Sequence, residues 1–233
     1  MSFYPVCIEL EGKTALVVGG GRVAQRKVET LLKFGASIQI VSRKLTNRLK
    51  EMVEFKEVHH IGEEFRDEHL DGAFLVIAAT DDERLNRKVS ESAQKRHLLI
   101  NAVDQPSDCN FIVPSIVNRG DLLIAISTSG KSPALAKKLR KELEMQFGGE
   151  YEAFLTLMGC LREEILSMGF SQDEKSRVFN EIVDSDILKS LAQGDMAGVE
   201  STLKRILPGE LARKKCLKSR KVPKMPKVVK LET

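Results

Sequence analysis

The chain has 233 residues, 42% of them hydrophobic and 30% charged, with a formal net charge of +4. That length holds one or two domains and a sizeable core, while two Tyr, no Trp and ten Phe argue against a surface built for stacking bases. The charge is uneven: between Gly209 and Thr233 nine Lys/Arg face two Glu, a net +7, so the rest of the chain carries −3 and the basic balance belongs to the tail.

The first hundred residues alternate strand and helix signals. Thr14–Val18 is a short β-branched strand ending in three glycines. Arg22–Phe34 has helical periodicity, and Gly35 is suited to the position after its C-cap. Ser37–Val41 reads as a second strand, Lys44–Val53 as a helix and Lys56–Ile61 as a weaker strand. Ala73–Ala78, a helix over Glu83–Lys95 and a strand at Leu98–Ile100 follow. Apolar strands separated by amphipathic helices predict βαβ units and a parallel sheet covered on both faces.

After Val103 the pattern changes. Phe111–Pro114 and Leu122–Ser127 are expected strands joined by a turn at Asn118–Asp121, followed by a helix from Pro133 to about Phe147. Tyr151–Met168, Ser171–Val183, Asp184–Ala192 and Asp195–Leu207 read as successive helices. Past Pro208 the chain is Lys-rich and lacks apolar periodicity, which predicts a disordered tail. The expected fold is α/β: a Rossmann-type parallel sheet in 1–112, a small central α/β segment in 113–149, a helical domain in 150–208 and a basic tail in 209–233.

No apolar run approaches the roughly 18–20 residues that span a bilayer, and MSFYPVCIELEGK has no signal-peptide pattern. Cys7, Cys109, Cys160 and Cys216 form no C-x-x-C pair and no disulfide framework, so a reducing cytoplasm is the expected location. His59, His60, His69 and His97 show no metal spacing, and no metal site is expected. Only the basic tail favours nucleic acid; neither nucleic acid nor a membrane is an expected partner.

The segment LVVGGGRVAQRK contains Gly19-x-Gly21-x-x-Ala24 between a strand and a helix, the context a dinucleotide fingerprint requires. Gly19 permits a tight turn, Gly21 lets backbone approach a pyrophosphate at the helix N-terminus, and Ala24 brings helix and strand together. The second strand ends in Ser42-Arg43-Lys44 where NAD sites place an acidic residue. Ser42 can bond a ribose hydroxyl. Arg43 and Lys44 suit a 2′-phosphate, favouring NADP or tolerance of both, unless they point into solvent. Thr80 lies at the same sheet edge within reach of a nucleotide, and Asp81 or Asp82 suits the N-cap of the next helix.

Asn101-Ala-Val-Asp104 ends the last strand of this sheet. Asp104 there has two readings: a proton relay or metal contact, or a cap for the Gln105–Asp108 turn. In Ser127-Thr-Ser-Gly-Lys-Ser-Pro133, Ser132 and Pro133 fit helix-start rules. The preceding hydroxyls, backbone N–H groups and Lys131 form a candidate anion cradle.

These residues carry a family resemblance. VVGGGRVAQRK, VIAATDDERLN, NAVDQPSDCNFIVPSIVNRGDLLIAISTSGKSPALAKKLRKELE and the later helices, about residues 1–207, resemble the siroheme-synthase dehydrogenase/chelatase family. The resemblance implies a homodimer, with 113–149 as its dimerisation segment, that oxidises precorrin-2 to sirohydrochlorin with NAD. Some members also insert Fe²⁺, a substrate, to give siroheme. Asp104 falls on the family's catalytic aspartate. The NAD contacts fall on the glycine turn, Arg22, Val23, Arg43 and Lys44, and the family's usual NAD linkage tempers the NADP reading. Lys131, the backbone around Thr128, Ser129 and Gly130, and Arg119 become candidate anchors for a polycarboxylate tetrapyrrole.

Overall fold

The computed structural model describes residues 3–207; the tail expected over 209–233 lies outside them. The chain divides into two compact units, the first ending at Val113 and the second beginning at Pro114.

The first unit contains β1 (Thr14–Val18), α1 (Arg22–Lys33), β2 (Ser37–Val41), α2 (Asn47–Glu54), β3 (Val58–Gly62), β4 (Leu75–Ala78), α3 (Glu83–Lys95) and β5 (Leu99–Ala102). The strands form one sheet in the order β3-β2-β1-β4-β5, with every neighbouring pair parallel. Alternate residues of the central strands feed two cores. Ala15, Val17, Ile38, Ile40 and Ile77 pack on the face that holds Ala24 and Val28 of α1 and Leu49 and Met52 of α2. Leu16, Val18, Val76 and Ile100 pack on the other, with Val89 and Ala93 of α3. β4 is buried throughout, which is why its sequence runs apolar without alternation.

α2 begins three residues after its expected start. Ser42 Oγ donates to the carbonyl of Lys44 at 2.8 Å, so Lys44 sits in a hydroxyl-closed turn. Thr46 is then the cap, its hydroxyl accepting from the Leu49 N–H. α3 has its expected bounds because Asp82 accepts from the N–H groups of Arg84 and Leu85, a strong local start signal.

In the second unit β6 (Ser115–Arg119) and β7 (Leu122–Ile126) form an antiparallel pair. The strand expected at Phe111–Pro114 is absent, and pairing begins just after Pro114. Side chains hold the approach instead: Asn110 accepts from the Ile100 N–H and donates to the Leu98 carbonyl, both at 2.8 Å. The turn is also tighter than expected, since Arg119 pairs with Leu122. Only Gly120 and Asp121 remain between the strands, and Gly120 has φ +62°, the conformation wanted first in a two-residue hairpin.

α4 (Pro133–Gln146), α5 (Glu150–Ser167), α6 (Gln172–Val183), α7 (Ile187–Ala192) and α8 (Met196–Ile206) follow. Phe154, Leu157, Leu161 and Ile165 lie on one stripe of α5 and are buried against Ile182, Ile187, Leu191, Val199 and Leu203. That spacing of three and four is the expected inward face of a helix in an α-helical core. No helix among the described residues is long and apolar enough to cross a membrane.

Candidate dinucleotide site

The C-terminal ends of β1, β2, β3 and β4 open into two clefts of about 390 and 490 Å³ that share Gly19, Ser42, Arg43 and Thr80 in their walls. Ligands in open α/β sheets bind at this edge, outside the strand carboxyl ends.

Each of the three glycines is small for a different reason. Gly19 has φ +120°, and a Cβ there would collide with the carbonyl oxygen of Ala79. Gly20 has no room either, because a Cβ would strike the carbonyl oxygen of Lys44 and the Ser42 hydroxyl. Its own carbonyl accepts from the Thr46 N–H at 3.0 Å, so the turn is bolted to the β2–α2 loop. Gly21, the N-cap of α1, has φ −80°, and a Cβ on it would meet nothing within 4 Å. The protein itself does not require glycine at Gly21. The residue leaves free space in front of a helix N-terminus whose first turn has no acidic side chain and no side-chain cap. A pyrophosphate fits that cradle: open room, unpaired N–H groups and the positive end of the helix dipole. Ala24 is fully buried against the sheet, so α1 approaches closely enough for this geometry.

Arg22 and Val23 begin α1 beside the cradle. Ser42 closes its own turn, and its N–H donates to the Gly62 carbonyl. Lys44 is exposed and its ammonium makes no ion pair or hydrogen bond among the described residues. Arg43 has a partner that the sequence did not signal: its guanidinium pairs with the carboxylate of Glu64, just past β3. Both are exposed, so the pair contributes little to stability, but it puts a negative charge in the wall of the cleft. Thr80 is held by Asn86, also unanticipated. The buried Asn86 amide accepts from the Thr80 N–H and hydroxyl at 3.1 and 2.7 Å and donates to the Thr80 carbonyl at 3.0 Å.

Asp104 follows β5 at the same sheet edge. It has φ +58°, a left-handed conformation that Asp tolerates better than most residues. Its exposed carboxylate makes no hydrogen bond or ion pair among the described residues. The following turn is closed by backbone, Gln105 N–H to Ala102 carbonyl and Asp108 N–H to Gln105 carbonyl. The Asp104 side chain is therefore free of the capping task that the sequence left open to it.

In the second unit, Ser127–Pro133 uses much of its own donor supply. The Ser129 N–H donates to Ser127 Oγ at 3.0 Å, the Lys131 N–H to the Thr128 carbonyl at 2.9 Å and the Ser132 N–H to Thr128 Oγ1 at 3.2 Å. Among the described residues, the Gly130 N–H, the Ser129 hydroxyl and the Lys131 ammonium make no such bond. Arg119 is placed differently from its expected role as an anchor. Its guanidinium donates to the carbonyls of Phe147, Asn118 and Glu144 at 2.7, 2.8 and 3.0 Å. It clasps the C-terminal end of α4, whose last carbonyls would otherwise lack partners. No group of three or more His, Cys, Asp or Glu suited to a metal ion occurs among the described residues.

A parallel sheet in this strand order, with a glycine turn feeding a helix N-terminus at its open edge, is an NAD(P)-binding domain of the Rossmann class. Residues 6–115 match a family model described as "Putative NAD(P)-binding", and residues 119–146 match "Sirohaem biosynthesis protein central". The chain is 37% identical over 217 residues to the siroheme synthase of Photorhabdus laumondii, covering 91% of this chain and 46% of that one. It is 38% identical over 210 residues to the siroheme synthase of Methylobacillus flagellatus, covering 90% and 45%. It thus spans about half the length of the curated relatives it matches. Among solved structures it resembles SirC, a precorrin-2 dehydrogenase, with a TM-score of 0.72 and 28% identity over 88% of this chain and 98% of that one. Over most of its length the chain is thus similar to part of the siroheme synthases and to the whole of SirC.

Proposed function

We propose that this chain is a precorrin-2 dehydrogenase that oxidises precorrin-2 to sirohydrochlorin with NAD in siroheme biosynthesis, acting in the cytoplasm. The observation that carries the reading is the glycine cradle, where Gly21 leaves room the fold has no use for, in a chain that matches SirC over 98% of SirC's length. Bound NAD supplies the hydride acceptor at its nicotinamide. The protein's own part is to hold the dinucleotide and to manage the proton that leaves with the hydride. In this reading Gly19, Gly21, Arg22 and Val23 carry the pyrophosphate, and Ser42, Arg43, Lys44 and Thr80 line the rest of the cofactor. Asp104 accepts or steers the proton from the tetrapyrrole. The free donors of Ser129, Gly130 and Lys131, in the loop that Thr128 closes, anchor substrate carboxylates. Arg119 is left out of that set because all three of its guanidinium nitrogens already donate to the carbonyls of Phe147, Asn118 and Glu144.

The cofactor preference rests on Glu64. A 2′-phosphate beside Arg43 has to displace or approach the Glu64 carboxylate, a repulsion that a 2′-hydroxyl avoids. Glu64→Gln is expected to raise kcat/KM with NADP about tenfold, for roughly 1.4 kcal/mol, with little change for NAD. Steady-state kinetics with both dinucleotides reads this, and an unchanged NADP/NAD ratio would remove Glu64 from the discrimination.

A homodimer is part of the same reading. A two-stranded sheet is marginal alone, and β7 and α4 leave Leu123, Leu135 and Leu139 exposed, so 113–149 suits pairing with a second copy. Siroheme synthases, as named, support a further step, Fe²⁺ insertion into sirohydrochlorin as substrate. Anaerobic incubation with precorrin-2 and NAD or NADP, followed by absorbance, tests the dehydrogenase; Fe²⁺ addition to the product tests chelation against the uncatalysed rate. No NADH formation with authentic precorrin-2 would overturn the assignment.

A further inference from the structure

The segment between β5 and Pro114 contains a half-buried cysteine, Cys109, that the dinucleotide site leaves without a task. Cys109 Sγ accepts from the Ala102 N–H at 3.1 Å. Its thiol lies 3.2 Å from the Ala102 carbonyl and 3.3 Å from the Gln105 carbonyl, donating toward both. The Asn101 amide approaches the same sulfur at 3.7 Å. One sulfur atom therefore joins the last residue of β5 to the residue after Asp104, and the two residues between them are Val103 and Asp104.

The chemistry suits a thiol that stays a thiol. Burial pushes the Cys109 pKa up, with the nearby Asp108 carboxylate adding to the effect and the Ala102 N–H and the Lys27 ammonium opposing it. At neutral pH the S–H is kept, so the group can accept one backbone N–H and donate to the carbonyls across the turn. The far end of the loop is tied independently. Ser90 Oγ donates to the Asp108 carbonyl at 2.5 Å, Arg87 pairs with the Asp108 carboxylate at 3.4 Å, and the Asn101 amide donates to the Phe111 carbonyl at 3.1 Å. Within this frame Asp104 is the residue held at φ +58°, and a left-handed non-glycine residue persists only where its surroundings fix it.

We propose that Cys109 is a positioning residue for Asp104: by clamping Ala102 to Gln105 it fixes the left-handed turn that presents the Asp104 carboxylate at the sheet edge. The inference rests on Asp104 being the proton-handling group of the proposed dehydrogenase.

A double-mutant cycle on the full chain tests it. Cys109→Ala removes the sulfur's contacts and leaves Ala102 and Gln105 joined only by the 3.3 Å bond from the Gln105 N–H to the Ala102 carbonyl, so kcat for precorrin-2 oxidation should fall about ten- to a hundredfold, the scale expected when a catalytic group is misplaced by about 1 Å. The KM for NAD and the affinity for NADH should stay within twofold, because the glycine cradle is built on other strands. Cys109→Ser keeps a hydroxyl that can both accept and donate, and should recover most of kcat. In an Asp104→Ala background, Cys109→Ala should cost nothing further, since residues acting through one group are not additive. Full kcat in Cys109→Ala would overturn the inference. So would losses that add to those of Asp104→Ala, or a parallel loss of NADH binding. If Asp104→Ala alone keeps full activity, the Asp104 reading falls and this inference with it; if Asp104→Ala is inactive while Cys109→Ala is normal, this inference alone falls.

Discussion

Asp104→Ala is expected to lower kcat for precorrin-2 oxidation by about 10²- to 10⁴-fold, the usual range for loss of a general acid or base, while NADH still binds as tightly as to the parent protein. The reason is geometric. The carboxylate stands at the sheet edge used by dinucleotide sites, on a turn closed by backbone hydrogen bonds that do not involve it, so its removal strips a reactive group without removing a structural bond. Thermal melting should shift little, and relief of the left-handed conformation by Asp104→Gly would stabilise rather than unfold the turn. Stopped-flow absorbance with precorrin-2 separates the two effects. A kcat within threefold of the parent would show that the proton leaves by another route.

Neighbouring glycines should fail in opposite ways. Gly20→Ala puts a methyl group against the Lys44 carbonyl and the Ser42 hydroxyl. Overpacking against backbone costs about 1–3 kcal/mol, and the melting temperature should fall accordingly. Gly21→Val puts its Cβ into open space in an extended backbone conformation that any residue adopts. Its melting temperature should hold, while affinity for NADH drops at least about tenfold, or roughly 1.4 kcal/mol, because the side chain occupies the volume reserved for pyrophosphate. Calorimetric titration and thermal denaturation read the two axes separately. Equal NADH affinity in Gly21→Val would mean that the phosphates do not lie over this helix end.

What the sequence revealed about the fold was mostly local. β1, the glycine turn and α1 are legible because their signals lie within a dozen residues, and α3 has its expected bounds because Asp82 caps it from the adjacent position. The hairpin after Pro114 was misplaced for a reason a linear reading does not contain: Asn110 imitates strand pairing with its side chain, so an apolar stretch beside it need not be a strand. The same limit applies to the site. Gly20 occupied a free position of the motif, and the demand for glycine there comes from Lys44, brought near by the β1–β2 register. Arg43 looked like an open anion ligand until the sheet set β3 beside β2 and delivered Glu64. Arg119 looked like a free cation because nothing in its neighbourhood announces that α4 ends nearby in space. Asn86 and Cys109 carry no motif, since each acts through backbone groups.

The sheet order has a further consequence for how the two ends of a dinucleotide would be met. β1 has a strand on each side, and its last four residues are buried; β3 is an outer strand whose His59, His60 and Ile61 face solvent. Amides in central strands open only with global unfolding, whereas those of an edge strand open in cheaper, local excursions. The glycine turn is thus mounted on a strand paired on both sides. The Arg43–Glu64 pair hangs partly from an edge strand, so the phosphates would dock against a preset surface and the adenosine end against one that breathes.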